Sequence, residues 1–188
     1  MEALDLYEKY GSAGYIGERV TQLQHACQTA MLAEKYCIEK NISYTVKREV
    51  ILGAFFHDIG HLLQFVPQLN LEKMGDLGIL DHEIHGANYL KHLGYSDLTC
   101  KIVRNHINTK RYLISIDENY YNNLSDASKK TFEYQGGNMN EFELKEFESD
   151  KFFNLHLQVR KWDESAKSTD PTILNQTNYF FNKLKSFK

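Results

Sequence analysis

Seven consecutive residues, Phe55-Phe56-His57-Asp58-Ile59-Gly60-His61, place an imidazole directly before a carboxylate inside an apolar segment running from Val50 to Leu63. Such a segment excludes a charge unless something pairs with it, and a metal cation is the partner that a His-Asp doublet suits best. Side chains of adjacent helical residues point about 100° apart. His57 and Asp58 therefore cannot both face one distant ion, but they can grip neighbouring ions if Asp58 bridges. His61 lies one turn from His57 on the same face. Its spacing matches the paired histidines of zinc proteases, yet Asp58 stands where HExxH needs Glu, so His61 reads as a group that contacts substrate or supports a ligand.

Two ions at a shared carboxylate need more ligands than this segment holds, and the other elements must bring them. A helix over about Tyr15 to Lys40 is expected from the stripe Val20, Leu23, Cys27, Met31 and Ile38, with His25 inside it. Thr45 is the expected cap of the helix carrying His57 and Asp58, which ends before Pro67. Asp81 should cap the next helix, fixing His82 at its start, with Gly94 as its stop. Ser96 should cap a helix on which Leu98, Ile102 and His106 fall on one stripe, turning His106 inward. Ser125 opens a short helix stopped by Gly136 and Gly137. From about Lys151, Phe152, Leu155, Val159, Trp162 and Asp163 share a face, which makes Asp163 a second buried carboxylate. Asp170 and Pro171 start a C-terminal helix over about 171–186. No long stretch alternates as a strand does, so the expected class is all-α.

Taken singly, His25 or His106 on an apolar stripe is more often a satisfied core histidine than a ligand. Together, His25, His57, Asp58, His82, His106 and Asp163 are the nitrogen and oxygen donors that two borderline cations take. A structural zinc site would need fewer and would prefer thiolates. His85 reads as part of a solvated helix face, and His92 and His156 carry no assigned role.

At 188 residues and 42% hydrophobic content the chain can bury a real core, and one domain over 1–188 is expected, with its core at about 15–170. Lys and Arg total 22 against 25 acidic residues, which leaves no basic footprint for nucleic acid or an anionic membrane. Cys27, Cys37 and Cys100 are odd in number and far apart, as reduced thiols of a cytoplasmic protein would be. No stretch reaches the roughly 18 apolar residues of a membrane span, and Met1 to Gly14 has no basic segment followed by an apolar run.

The order His25, His57-Asp58, His82, His106, Asp163 resembles the HD-domain superfamily, an all-helical fold with a buried metal site. Several further stretches resemble its mixed-valent diiron oxygenases: Tyr15 to Glu18, Gln22 to His25, Met74-Gly75, His82-Glu83, Lys110 to Leu113, Asn123 to Ser128, Thr131 to Gly137 and Arg160 to Asp163. Leu62 to Leu80 departs from that pattern and could form a lid or entrance.

The resemblance implies two irons, Fe(II) and Fe(III), one held by His25, His57, Asp58 and Asp163 and the other by His82, His106 and the shared Asp58. It implies Tyr15 as the group that fills an open iron position, and His61 as a hydrogen-bond partner of substrate or oxygen. It places a phosphonate against Lys110 and Arg160, with Ser128, Thr131 and Gln135 as donors, and an amine against Glu18. The implied reaction uses O2 to cleave the C-P bond of 2-amino-1-hydroxyethylphosphonate, giving glycine and phosphate, or glycine betaine from the N-trimethylated analogue. Two other classes share the ligands: a phosphohydrolase in which the ions activate water, and a module whose metals only stabilise a binding domain.

Overall fold

Capping chemistry sets most helix boundaries in the computed structural model, which describes residues 2–187. Met1 and Lys188, the ends of the span assigned to one domain, lie outside the described residues. The elements are α1 Ala3–Tyr10, α2 Gln22–Glu39, α3 Tyr44–Phe56, α4 Ile59–Leu62, α5 His82–His92, α6 Asp97–Ile116, α7 Glu118–Asn122, α8 Asp126–Tyr134, α9 Glu141–Glu148, α10 Phe153–Ser165 and α11 Pro171–Lys185. The described residues form no strand, only isolated bridges between Gly14 and Thr21 and between Lys73 and Ile79. None of the described helices is long and apolar enough to cross a membrane.

Ser96, Ser125 and Asp170 cap α6, α8 and α11 through side-chain oxygens that accept from Thr99, Ser128 and Thr172 backbone N–H groups. Gly94, Gly136 and Gly137 follow their helices with positive φ.

Four expectations need correction. The helix expected from Tyr15 begins only at Gln22, because Thr21 and Gln24 form a capping box and stop it there. Residues 15–18 instead make a tight turn, with the Glu18 N–H on the Tyr15 carbonyl at 3.0 Å and Gly17 at φ +77°. Thr45 does not cap α3, whose N-cap position is Ser43 without a side-chain bond. Asp81 does precede α5, but in a left-handed conformation (φ +52°) and with no capping bond from its side chain. The doublet lies in a break between two helices: α3 ends at Phe56, and Asp58 leaves helical geometry at φ −103°, ψ +11°. That break turns His57 and Asp58 so that both reach one interior.

The core explains why the elements stay where they are. α2 packs on α3, α3 on α6, and α6 on α5 and α10, while α10 and α11 close against α2. Phe55 and Phe56 are fully buried, stacking and tilting against Phe181, Tyr95 and Tyr7. Burying each such ring contributes about 1.5–3 kcal/mol. The apolar core also extends upstream of residue 15, since Leu6 and Tyr7 of α1 are buried and the Tyr7 hydroxyl donates to the Phe55 carbonyl.

Candidate metal centre and its cavity

Four imidazoles, three from α2, α5 and α6 and one from the break after α3, converge on Asp58. One carboxylate oxygen, Oδ1, lies 3.3 Å from His82 Nε2 and 3.2 Å from His106 Nε2. The other, Oδ2, lies 3.3 Å from His57 Nε2 and 3.7 Å from His25 Nε2. Asp163 joins the second group, its Oδ1 being 3.3 Å from His25 Nε2 and 3.7 Å from His57 Nε2. Asp58 is thus shared between two nests of donors.

The backbone fixes the tautomers in these nests. His25 Nδ1 faces the Ala166 carbonyl at 3.0 Å, His57 Nδ1 the Ala54 carbonyl at 2.8 Å, and His106 Nδ1 the Val103 carbonyl at 2.7 Å. A carbonyl can only accept, so each Nδ1 carries the proton and each Nε2 presents a lone pair. Yet His25 Nε2 and His57 Nε2 stand 3.1 Å apart, as do His82 Nε2 and His106 Nε2. At His25 and His57, two lone pairs and a carboxylate oxygen that close repel each other unless a cation sits among them, and metal–nitrogen bonds of about 2.0–2.1 Å give such edge lengths; no carbonyl faces His82 Nδ1. The residues fit a metal in both nests. Burial works against the Asp58 carboxylate, but the imidazoles around it, His57 first, hold it well below the usual carboxylate range.

His61 differs from these four. Its Nδ1 accepts the Ile79 N–H at 3.1 Å, which puts the proton on Nε2 and leaves no lone pair there for a metal. Its ring stacks on His82 at 3.9 Å. Two glycines allow this. A Cβ on Gly60 would lie 1.9 Å from the His82 carbonyl oxygen, and one on Gly78 (φ +97°) would lie 2.5 Å from His61 Nδ1. Burial, then the neighbouring His82, keep His61 well below the usual histidine range and hence neutral.

A cavity of about 70 Å³ opens on Asp58, His82, His106 and Asp163, with His25 and His57 deeper behind them. Tyr15, Glu18, His61, Lys110, Ser128, Thr131, Gln135 and Arg160 all line it. Met74 and Leu77, from the segment between α4 and α5, line one side of it. Tyr15 stacks on His25 at 3.9 Å and lies beside Asp58. Burial, then Asp58 and Asp163, raise its phenol well above the ordinary value.

Lys110 is buried and donates to Thr131 Oγ1 at 3.0 Å and to the Ser128 carbonyl at 3.5 Å. Burial, then the like charge of Arg160, lower its pKa to about 7. The Gln135 amide oxygen is buried without a partner. Arg160 is engaged from the protein side, with Nη1 on Asp163 Oδ2 at 2.5 Å and Nε on the Tyr120 hydroxyl and Glu164 at 2.9 and 3.0 Å. It therefore aims the Asp163 carboxylate at the His25 nest while it borders the cavity.

The remaining histidines fall elsewhere. His85 is half-buried and His92 exposed, while His156 is a core residue held by Asn105 and brought to a pKa of about 4 by burial. Sequence reasoning misses four neighbours of the site. Tyr120 and Glu164 brace Arg160, and the spacing of Glu164 on the same helix is the signal that could have found it. Glu83 is buried beside His82, 3.6 Å from its Nδ1. Lys167 lines the cavity and pairs with Glu18 at 2.6 Å.

Residues 23–138 match the HD domain family. An uncharacterized protein of Acanthamoeba polyphaga mimivirus is 41% identical over 170 residues, covering 90% of this chain and 73% of that protein. The [1-hydroxy-2-(trimethylamino)ethyl]phosphonate dioxygenase (glycine-betaine-forming) of Leisingera caerulea is 34% identical, over 88% of this chain and 78% of that protein. The hydroxymethylphosphonate dioxygenase of Gimesia maris is 35% identical, over 87% and 75%.

Proposed function

Because the chain belongs to the HD domain family, and within it to the phosphonate dioxygenases, we propose that it holds two irons and uses O2 to cleave the C-P bond of a small 1-hydroxyphosphonate. The atoms balance: the carbon that bore hydroxyl and phosphonate leaves as a carboxylic acid, the phosphorus leaves as phosphate, and both atoms of O2 enter the products. The carrying observation is the shared carboxylate of Asp58 between two nests of imidazole Nε2 atoms, open to a cavity lined by cations.

The irons, when bound, supply the redox chemistry and activate O2. His25, His57, Asp58 and Asp163 would hold one, and His82, His106 and Asp58 the other. This chain's residues bind and orient. Lys110 offers an ammonium with two bonds already fixed on α8, leaving a donor for a phosphonate oxygen. Ser128, Thr131, Gln135 and Arg160 surround the same anion. Nε2–H of His61 is the one donor that ring has left, suited to a hydrogen bond to substrate or oxygen. Tyr15 covers the His25 nest until substrate arrives. Its presence beside Asp58 favours the oxygenase over a phosphohydrolase, which has no use for a phenol there.

The finer reading implied by the sequence is 2-amino-1-hydroxyethylphosphonate as substrate and glycine as product, with the amine on Glu18. Phosphate transfer to water by the same ions is the rival. The test is anaerobic iron loading, addition of a 1-hydroxyphosphonate, then admission of O2, with phosphate and carboxylic acid both measured. Equal yields of the two, dependent on O2, are expected; phosphate released without O2 would establish the hydrolase instead.

A further inference from the structure

Glu18 is not a free carboxylate. Lys167 Nζ donates to its Oε1 at 2.6 Å, and each side chain is only about a quarter exposed, 26% for Lys167 and 22% for Glu18. Both line the cavity that Asp58, Lys110 and Arg160 line.

The pair is built in. Lys167 follows α10, and its two chain neighbours are pinned to α2: the Ala166 carbonyl accepts from His25 Nδ1 at 3.0 Å, while Ser168 exchanges two bonds with the Gln28 amide at 2.9 and 3.0 Å. Glu18 is held from its own side by the turn that closes on Tyr15. The Lys167 backbone cannot withdraw without disturbing α2.

An ammonium or trimethylammonium entering beside Glu18 would have to share one carboxylate with the lysine or displace it. Lys110 and Arg160 border the same small space, so either course crowds like charges. A substituent without positive charge meets a pair that is already neutral. We propose that Lys167 is a specificity-determining residue which makes this cavity select a hydroxyphosphonate whose carbon substituent carries no positive charge, as in hydroxymethylphosphonate. The inference rests on the hydroxyphosphonate reading above and replaces the amine-bearing substrate that the sequence implies.

The test is calorimetric binding to anaerobically iron-loaded enzyme, wild type against Lys167→Met, with hydroxymethylphosphonate, 2-amino-1-hydroxyethylphosphonate and its N-trimethyl analogue. Wild type should bind hydroxymethylphosphonate about tenfold or more tighter than either cation, and Lys167→Met should swing the ratio toward the primary ammonium by about tenfold, the scale of one charge-assisted contact. Lys167→Arg should restore the wild-type ratio. If Lys167→Met fails to fold, Lys167→Gln serves, and the wild-type ratio alone still decides the direction. Tighter wild-type binding of the ammonium substrate, or a ratio that Lys167→Met leaves unchanged, overturns the proposal. Failure of all three ligands to bind wild type overturns it too, by removing the hydroxyphosphonate reading beneath it.

Discussion

The two nests around Asp58 and the cavity wall facing them are built by opposite means. In the nests, His25, His57 and His106 are buried, and each is locked by a bond from its own ring to a backbone carbonyl. The wall combines a turn, a short helix and a post-helix loop with Lys110 and Arg160 from α6 and α10, and its ion pairs are between side chains: Lys167 on Glu18, and Arg160 on Asp163 and Glu164. Backbone anchoring fixes a donor's direction and tautomer regardless of what is bound. Side-chain pairing leaves the wall able to change partners, which suits recognition of a ligand that differs between relatives.

Asp58→Ala should break the nest side most severely. Removing the shared carboxylate leaves His82 and His106 without an anion and His25 and His57 with Asp163 alone, so metal analysis after reconstitution should find neither ion retained, with a large fall in Tm. Two ions retained would remove Asp58 as the bridge.

Arg160→Met tests where the two regions meet. It strands the buried Asp163 carboxylate, and breaking such a pair costs about 3–5 kcal/mol. Denaturant unfolding should register that loss, and the ion proposed at Asp163 should bind more weakly. An unchanged unfolding midpoint would mean that Arg160 serves the cavity alone.

Lys110 carries a pH signature. Its folded pKa of about 7 lies below the ordinary 10.5, so over that window the unfolded chain holds the proton that the folded chain has lost. Stability therefore rises with pH between those values. Binding of an anionic phosphonate should run the other way, with KM climbing as pH passes upward through about 7 and the ammonium is lost. Lys110→Met should flatten both profiles and raise KM below that pH while leaving iron content intact. A KM profile unaltered by the substitution would place the anion elsewhere.

The smallest expected effect is that of Ser125→Ala, which removes the cap of the helix bearing Ser128 and Thr131. It should cost about 1 kcal/mol of stability and raise KM modestly, with unchanged metal content. Loss of iron would show that wall and nests are less separate than the geometry implies.

The same division governs what can be read from the sequence. Ser96, Ser125 and Asp170 cap through bonds to residues two or three positions away, so local sequence carries them. His106 and Asp163 announce themselves by falling on apolar helix faces where a polar group needs a reason. The helix start at Gln22 is easily misplaced because the apolar stripe continues upstream through Val20, although Thr21 and Gln24 spell out the stop. α9 escapes the apolar pattern despite a capping box of Asn140 and Glu143. Lys167 has no local signal at all: its partner lies 149 positions away, and only the folded chain brings them together.

The central claim is a pair of ions joined through one carboxylate, and Mössbauer spectroscopy of the anaerobically reconstituted, partly oxidised protein tests it most directly. The account predicts two irons per chain, one ferrous and one ferric, magnetically coupled through their shared ligand. A single iron per chain, or two irons without coupling, would contradict it.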